Sequence, residues 1–159
     1  MKKLVSRAEL LKIANKLRAQ GKKIAWTNGC FDIMHAGHVD YLEKARAYGD
    51  ALVVGLNSDQ SIKALKGNSR PICSQEQRAK VLNALCCVDY ILIFDNKSPL
   101  DIIRELKPEF YIKGGDYTID TIDQNERRSV EDYGGEIIIL PEVKGISTTF
   151  IVEQIKKLN

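Results

Sequence analysis

Short apolar runs of strand length alternate along the chain with longer stretches in which apolar residues recur every three or four positions. That alternation predicts helices and strands in turn from one end to the other. Ser6 with Glu9 forms a capping box, and Leu10, Leu11, Ala14 and Leu17 then keep helical spacing until Gly21. Lys23 to Thr27 is a β-type run closed by Asn28-Gly29, and Ala36 to Tyr48 is helical with Val39, Leu42 and Ala45 on one face. Ala51 to Leu56 is a near-continuous apolar run, the pattern of a strand buried on both faces.

Asn57-Ser58-Asp59 starts a short helix, Lys66 to Ser74 is rich in loop formers, and Ser74 with Gln77 is a second capping box for a helix to about Leu85. Asp89 to Phe94 is expected as a third central strand. Ser98-Pro99 supplies an N-cap and an N1 proline for a helix to Leu106. Phe110 to Ile112 is a strand, Lys113-Gly114-Gly115-Asp116 a turn, and a polar helix leads to Gly134-Gly135. Glu136 to Leu140 is the last strand, and Ser147 caps a closing helix from about Thr148 to Leu158. Five strands joined by helices imply an α/β fold: a Rossmann-like, doubly wound, five-stranded parallel sheet with helices on both faces and right-handed crossovers. The reading is one domain over residues 1–159, without an internal repeat.

Composition narrows the class. Of 159 residues, 44% are apolar and 28% charged, which excludes disordered, collagen-like and membrane-spanning chains. A chain of this length buries about 70% of the surface it exposes unfolded. The 24 Lys plus Arg exceed the 21 Asp plus Glu by only three, which excludes a continuous nucleic-acid surface. After Met1-Lys2-Lys3-Leu4-Val5, the residues Ser6, Arg7 and Glu9 interrupt any apolar signal core, so a cytoplasmic protein is expected. Cys30, Cys73, Cys86 and Cys87 contain no C-x-x-C pair and read as reduced thiols.

Ligands of open α/β sheets bind beyond the carboxyl ends of the strands. The first such loop, Thr27 to His38, holds both histidines of the chain. His35 and His38 stand three apart at a helix start, so their rings share a face where N–H groups and free backbone amides can converge on an anion. Gly37 between them leaves room for a phosphate to approach. The same spacing also suits two capping histidines, or a zinc site built from Cys30, Asp32, His35 and His38. Lys113-Gly114-Gly115-Asp116 is either a plain turn or a backbone surface for a nucleobase. Ser147, Thr148 and Thr149 are either an N-cap or a phosphate site at a positive helix end. Lys63, Lys66 and Arg70 are a candidate lid over a polyanion.

The His35-Ala36-Gly37-His38 and Gly145-Ile146-Ser147-Thr148-Thr149 motifs, in these loops, resemble those of the cytidylyltransferase-like nucleotidyltransferases. Thr27-Asn28-Gly29-Cys30-Phe31-Asp32, the Leu65 to Pro71 loop and Lys113 to Tyr117 are similar, within that family, to the adenylyltransferases acting on D-glycero-D-manno-heptose 1-phosphate. The resemblance runs from about residue 8 to the end. It implies transfer of AMP from ATP to the sugar phosphate, with Mg²⁺ bound to ATP, giving ADP-heptose for lipopolysaccharide core or a related glycan. It further implies His35, His38 and Lys66 as catalytic residues. The implied nucleotide contacts are Asn28, Gly29, Cys30, Phe31, Asp32, Gly37, Lys113, Gly114, Asp116, Ser147, Thr148 and Thr149. Asn57, Asp59, Arg70 and Arg78 are implied for the acceptor, and the family suggests a homodimer. One departure stands out: glycerol-phosphate cytidylyltransferases carry an arginine just before Gly-Ile-Ser-Thr-Thr, and this chain has Pro141-Glu142-Val143-Lys144. A cytidylyltransferase for glycerol 3-phosphate or another sugar phosphate is therefore the alternative enzyme, and a catalytically silent nucleotide sensor the alternative from a different class.

Overall fold

The computed structural model describes residues 2–141, 143 and 145–158. Its centre is one parallel sheet of β1 (Ile24–Gly29), β2 (Ala51–Asn57), β3 (Tyr90–Phe94), β4 (Phe110–Gly114) and β5 (Glu136–Leu140), ordered β3-β2-β1-β4-β5. β1 is central, pairing Ile24 with Ala51 on one side and Ala25 with Phe110 on the other. The chain winds outward from β1 in one direction to β3 and then in the other through β4 to β5. A crevice opens where the direction reverses, beyond the ends of β1 and β4.

Each face of the sheet has its own apolar layer. On one face, α2 (Ala36–Arg46) and α4 (Gln75–Ala84) set Leu42, Ala45, Ala79 and Leu82 against Ala25, Leu52, Val54 and Ile112. On the other, α1 (Arg7–Ala19), α5 (Leu100–Leu106) and α6 (Gln124–Asp132) set Leu10, Ala14, Ile103, Leu106 and Val130 against Trp26, Val53 and Tyr111. α3 (Asp59–Lys66) follows β2 directly, and α7 (Thr148–Lys156) closes the fold without a buried residue. Both expected capping boxes form: Ser6 with Glu9 starts α1, and Ser74 with Gln77 starts α4.

Three local expectations are corrected. The run Asp89 to Phe94 is an edge strand, not a central one. Its outer side is covered by the N-terminal segment: Ile91 N–H donates to Lys3 O (2.8 Å) and Val5 N–H to Ile91 O (3.0 Å). That pairing gives an edge the apolar composition of an interior strand. Pro99 is the N-cap of α5 rather than its first helical residue, with Ser98 Oγ accepting from Leu100 N–H (3.2 Å). Lys113 and Gly114 end β4 instead of beginning a turn, because the register with β5 continues to Gly114 and Leu140.

One glycine sets the sheet's interior geometry. A Cβ at Gly55 in β2 would collide with the indole of Trp26 and meet Asn28 Cβ at 3.1 Å. Trp26 is wholly buried, so its rigid ring has nowhere to retreat. Gly55→Ala should lower unfolding free energy by about 1–3 kcal/mol, the usual cost of overpacking, in urea titration. Unchanged stability would contradict this packing.

Candidate active site

Beyond the end of β1 the chain makes a tight loop before α2. Two non-glycine residues there, Phe31 (φ 47°) and Ile33 (φ 55°), take left-handed backbone conformations. Such conformations persist only where surrounding contacts enforce them. Phe31 is buried and anchors the loop against the α2 face of the sheet. Asp32 is buried too, and its carboxylate accepts from Arg70 Nη1, Ile72 N–H and Cys73 N–H, each at 2.9 Å. Burial alone would raise the Asp32 pKa; those donors outweigh it and hold the group below the ordinary carboxylate range.

The histidines stand at the start of α2. His35 is the N-cap and makes no side-chain capping bond, so the first-turn amides of the helix lack a side-chain partner. The two rings stack, with centroids 3.8 Å apart and planes inclined by 25°. Gly37 permits this: a Cβ there would stand 3.1 Å from His35 Nδ1. Burial, then the neighbouring His35 and Lys66, lower the His38 pKa to about 4, and burial lowers that of His35. Both imidazoles are therefore neutral near pH 7. Nδ1 of each ring is buried and has no partner among the described residues. An unpaired buried N–H is the costlier choice, which favours the proton at Nε2 and leaves Nε2–H as the donor a ligand can reach.

Lys66, the last residue of α3, is exposed and has no ion pair among the described residues. It lies close enough to His38 and Cys30 to lower the pKa of both, although burial dominates at Cys30 and raises its thiol. Thus His35, His38, Lys66, Cys30 and the end of β1 come together. The expected acceptor residues have other engagements. Arg78, buried in α4, donates through Nε to Cys73 O (3.0 Å), through Nη1 to Cys30 O (2.6 Å) and Asn57 O (2.8 Å), and through Nη2 to Asp59 (2.7 Å). Asn57 Nδ2 donates to Ser61 Oγ (2.9 Å), and Arg70 is held by Asp32. The Asn57, Asp59, Arg70 and Arg78 side chains bind the loops to one another.

At the closing helix, Ser147 Oγ accepts from Phe150 N–H (3.0 Å) as the N-cap, and Thr148 Oγ1 donates to Asp32 O (2.9 Å). This bond docks the Ser147 to Thr149 motif beside the histidine loop. Gly29 ends β1, and Lys144 and Glu142 lie outside the described residues. Asp116 is exposed beyond β4, and its Oδ1 would stand 3.0 Å from a Cβ at Gly114.

A second polar group joins Asn28 and Lys113, both expected as nucleotide contacts, to Glu126, Tyr111 and Ser98, which were not singled out in the sequence. Lys113 Nζ, buried at the end of β4, donates to Asn28 Oδ1 (3.1 Å) and pairs with Glu126 of α6 (3.4 Å). Glu126 also accepts from Ser98 Oγ (2.7 Å) and from the Tyr111 hydroxyl in a short bond. Glu126 stands four residues before buried Val130, a spacing that places it on the core-facing side of α6 and was the available signal.

The zinc alternative finds no support in the side-chain arrangement. Asp32 is consumed by its three donors, and among the described residues no group of three or more His, Cys, Asp or Glu side chains converges to hold a metal ion. Nor, among them, is any helix long and apolar enough to cross a membrane.

The half-buried histidine pair predicts a titration. His38 in the free protein should titrate near pH 4 by NMR, below the ordinary 6.5. Its folded pKa lies below the unfolded one, so its contribution to stability is complete above pH 6.5 and is lost as pH falls toward 4. A His38→Gln variant should show a shallower loss of stability over that window, and an ordinary pKa for His38 would contradict the burial described.

The cytidylyltransferase-like family profile matches residues 26–154. The bifunctional protein HldE of Geobacter sulfurreducens is 53% identical over 140 residues, covering 88% of this chain and 28% of that protein. HldE of Syntrophotalea carbinolica is 48% identical, over 96% of this chain and 31% of its own length. The chain thus spans less than a third of the curated relatives it matches. Among solved structures, the lipopolysaccharide core biosynthesis protein of Thermoplasma volcanium superposes with a TM-score of 0.62 at 26% identity, over 79% of this chain and all of that one. Both the histidine loop at the end of β1 and the Ser-Thr-Thr motif docked beside it fall within the matched span, and the chain belongs to the cytidylyltransferase-like family of nucleotidyltransferases.

Proposed function

We propose that the chain transfers AMP from ATP to D-glycero-D-manno-heptose 1-phosphate, releasing pyrophosphate and forming ADP-heptose. The observation that carries this reading is the stacked, neutral His35–His38 pair at the uncapped start of α2, with Lys66 beside it. The relatives supply the acceptor class: HldE proteins match most of this chain, and one structural neighbour is a lipopolysaccharide core biosynthesis protein.

The nucleophile is an oxygen of the sugar phosphate, already anionic, so no side-chain base is required. It attacks the α-phosphorus of ATP in line; the new P–O bond forms as the bond to the β-phosphate oxygen breaks, and pyrophosphate departs. His35 and His38 donate from Nε2–H to oxygens of the triphosphate, and the α2 amides add partial positive charge. Lys66 supplies a full charge over the transferring group. Mg²⁺ would arrive bound to the phosphates of ATP rather than to a cluster of side chains, and would supply neutralisation of their charge. Acceleration then comes from positioning and from donors aimed at charge that develops on the phosphates. Thr149, Ser147 and the end of β1 are close by for further phosphate contacts, and Gly114 to Asp116, beyond Lys113, form the neighbouring wall for the base.

The chain is also proposed to pair as a homodimer. α7 has no buried residue and exposes Phe150 and Ile155, apolar surface that a second copy would cover. Analytical ultracentrifugation should then give twice the 17.9 kDa chain mass, and a monomer at micromolar concentration would refute the pairing.

Pyrophosphate release tests the reaction itself, with each nucleoside triphosphate offered against heptose 1-phosphate and glycerol 3-phosphate. ATP with the heptose should be the productive pair. CTP with glycerol phosphate would select the cytidylyltransferase reading, and ATP binding without pyrophosphate from any acceptor would select a nucleotide sensor. His38→Ala should lower kcat by about 10²–10³ with a much smaller change in ATP affinity, as expected for a donor acting mainly in the transition state.

A further inference from the structure

The crevice has two walls. His35, His38 and Phe31 belong to the α2 face of the sheet. Asn28 and Lys113 belong to the opposite face: Asn28 Cβ stands over Gly55 beside Trp26, and Lys113, two residues after Tyr111 in β4, shares its face. The network around them runs from Ser98 through Glu126 to Tyr111 and Lys113, and from Lys113 to Asn28. The mechanism above uses none of Glu126, Tyr111 or Ser98.

This network fixes the orientation of the Asn28 amide. A lysine ammonium has three donors and no acceptor, so the amide atom 3.1 Å from Lys113 Nζ must be the carbonyl oxygen. The reversed amide would set two donors against each other. The Tyr111 hydroxyl also lies 3.5 Å from Asn28 Oδ1, but its single proton goes to Glu126. With Oδ1 turned inward, Nδ2 has no acceptor among the described residues, while Asn28 itself is only partly buried at the crevice end of β1. Lys113 is held in place by Glu126 on one side and lies over the rings of Tyr111 (5.1 Å) and Tyr117 (5.4 Å).

We infer that Asn28 presents a fixed Nδ2–H donor to an oxygen of the acceptor sugar phosphate, and that Glu126 is the positioning residue that sets this donor by holding Lys113 beneath it. The inference rests on the adenylyl-transfer reading for the acceptor's identity. The triphosphate lies along the histidine wall, so the facing wall is left to the second substrate. A neutral donor backed by a buried ammonium suits an anionic or hydroxyl oxygen and disfavours another donor.

Lys113 gives the positioning role a signature of its own. Burial lowers its pKa, and Glu126, Asp116 and Asp123 oppose that effect; Tyr111 and Tyr117 are the other titratable groups at its side. Loss of the Glu126 charge removes the largest opposing influence, so Lys113 should lose its proton at lower pH.

The test uses the full chain and steady-state pyrophosphate release with ATP and heptose 1-phosphate. Asn28→Asp replaces the donor with an acceptor while keeping a partner for Lys113, and should raise KM for the sugar phosphate about 10–100-fold, the range for a lost hydrogen bond to a charged group, with KM for ATP within twofold. Asn28→Ala should shift the same constant in the same direction. Glu126→Gln should raise the sugar-phosphate KM and move the alkaline limb of the pH profile to lower pH, which a loss of stability alone would not do. A change in ATP KM equal to or larger than that for the sugar phosphate would overturn the inference, as would an unmoved alkaline limb in Glu126→Gln. A second readout needs no turnover: the Asn28 side-chain amide resonances should move on adding heptose 1-phosphate to the wild-type chain and stay fixed with Mg-ATP alone. Movement with Mg-ATP alone, or none with the sugar phosphate, overturns it. Absence of pyrophosphate from every acceptor would instead defeat the adenylyl-transfer reading, while the amide shift still decides this one.

Discussion

A single buried guanidinium holds the carboxyl end of the sheet together. Parallel strands finish with their carbonyl groups pointing into the same crevice, and loops that leave them must find donors for those carbonyls without closing the ligand's path. Arg78 meets this need from beneath, giving hydrogen bonds to Cys30 O at the end of β1, Asn57 O at the end of β2 and Cys73 O in the following loop, with Asp59 as its counter-charge. Asp32 is its complement, a buried carboxylate that gathers Arg70 and the Ile72 and Cys73 amides. The two charges are linked through Cys73, whose N–H serves Asp32 and whose C=O serves Arg78. Removing the counter-charge of a buried ion such as Arg78 typically costs about 3–5 kcal/mol, because that ion is left buried and unpaired.

This scaffold explains why the histidine loop holds its strained shape. Phe31 and Ile33 sit in left-handed conformations on either side of Asp32, so the carboxylate's three bonds and the Thr148 bond to its carbonyl fix the segment where the backbone is least comfortable. The loop in turn delivers His35 and His38 to the start of α2 with their rings stacked. Strain, clamp and histidine pair form one connected unit, and α7 is attached to it by the same residue.

Local features of this architecture were legible in the sequence, and non-local ones were not. The capping boxes at Ser6 and Ser74 and the run Ala51 to Leu56 report interactions within a few residues, and they form as read, with the strand reaching one residue further to Asn57. The edge position of β3 depends on Lys3 to Val5 pairing with Ile91, a contact between distant parts of the chain that leaves β3 with an interior strand's composition. For the candidate site, the sequence located the loops and the histidine pair but not how charge is spent within them. The family resemblance implies Asp32, Arg70 and Arg78 as ligand contacts; that they also satisfy one another's loops is visible only in three dimensions. Glu126 was hidden in a helix so polar that one more carboxylate carried no signal except its register with Val130.

The distribution of charge then bears on how the reaction is helped. The net excess of positive charge is only three, and Arg70 and Arg78 are neutralised within the scaffold. His35 and His38 are neutral, and Lys113 is paired with Glu126. Of the cations brought to the crevice, Lys66 alone has no ion pair among the described residues, and it sits at the end of α3 next to Gly67 with its positive φ of 89°. In the proposed reaction, a full charge on a mobile-stemmed residue beside neutral, rigid donors would divide the work: the donors would define where phosphate oxygens lie, and the lysine would follow charge as it shifts toward the leaving pyrophosphate. A site lined with fixed cations would bind the triphosphate tightly in its ground state and gain less in the transition state.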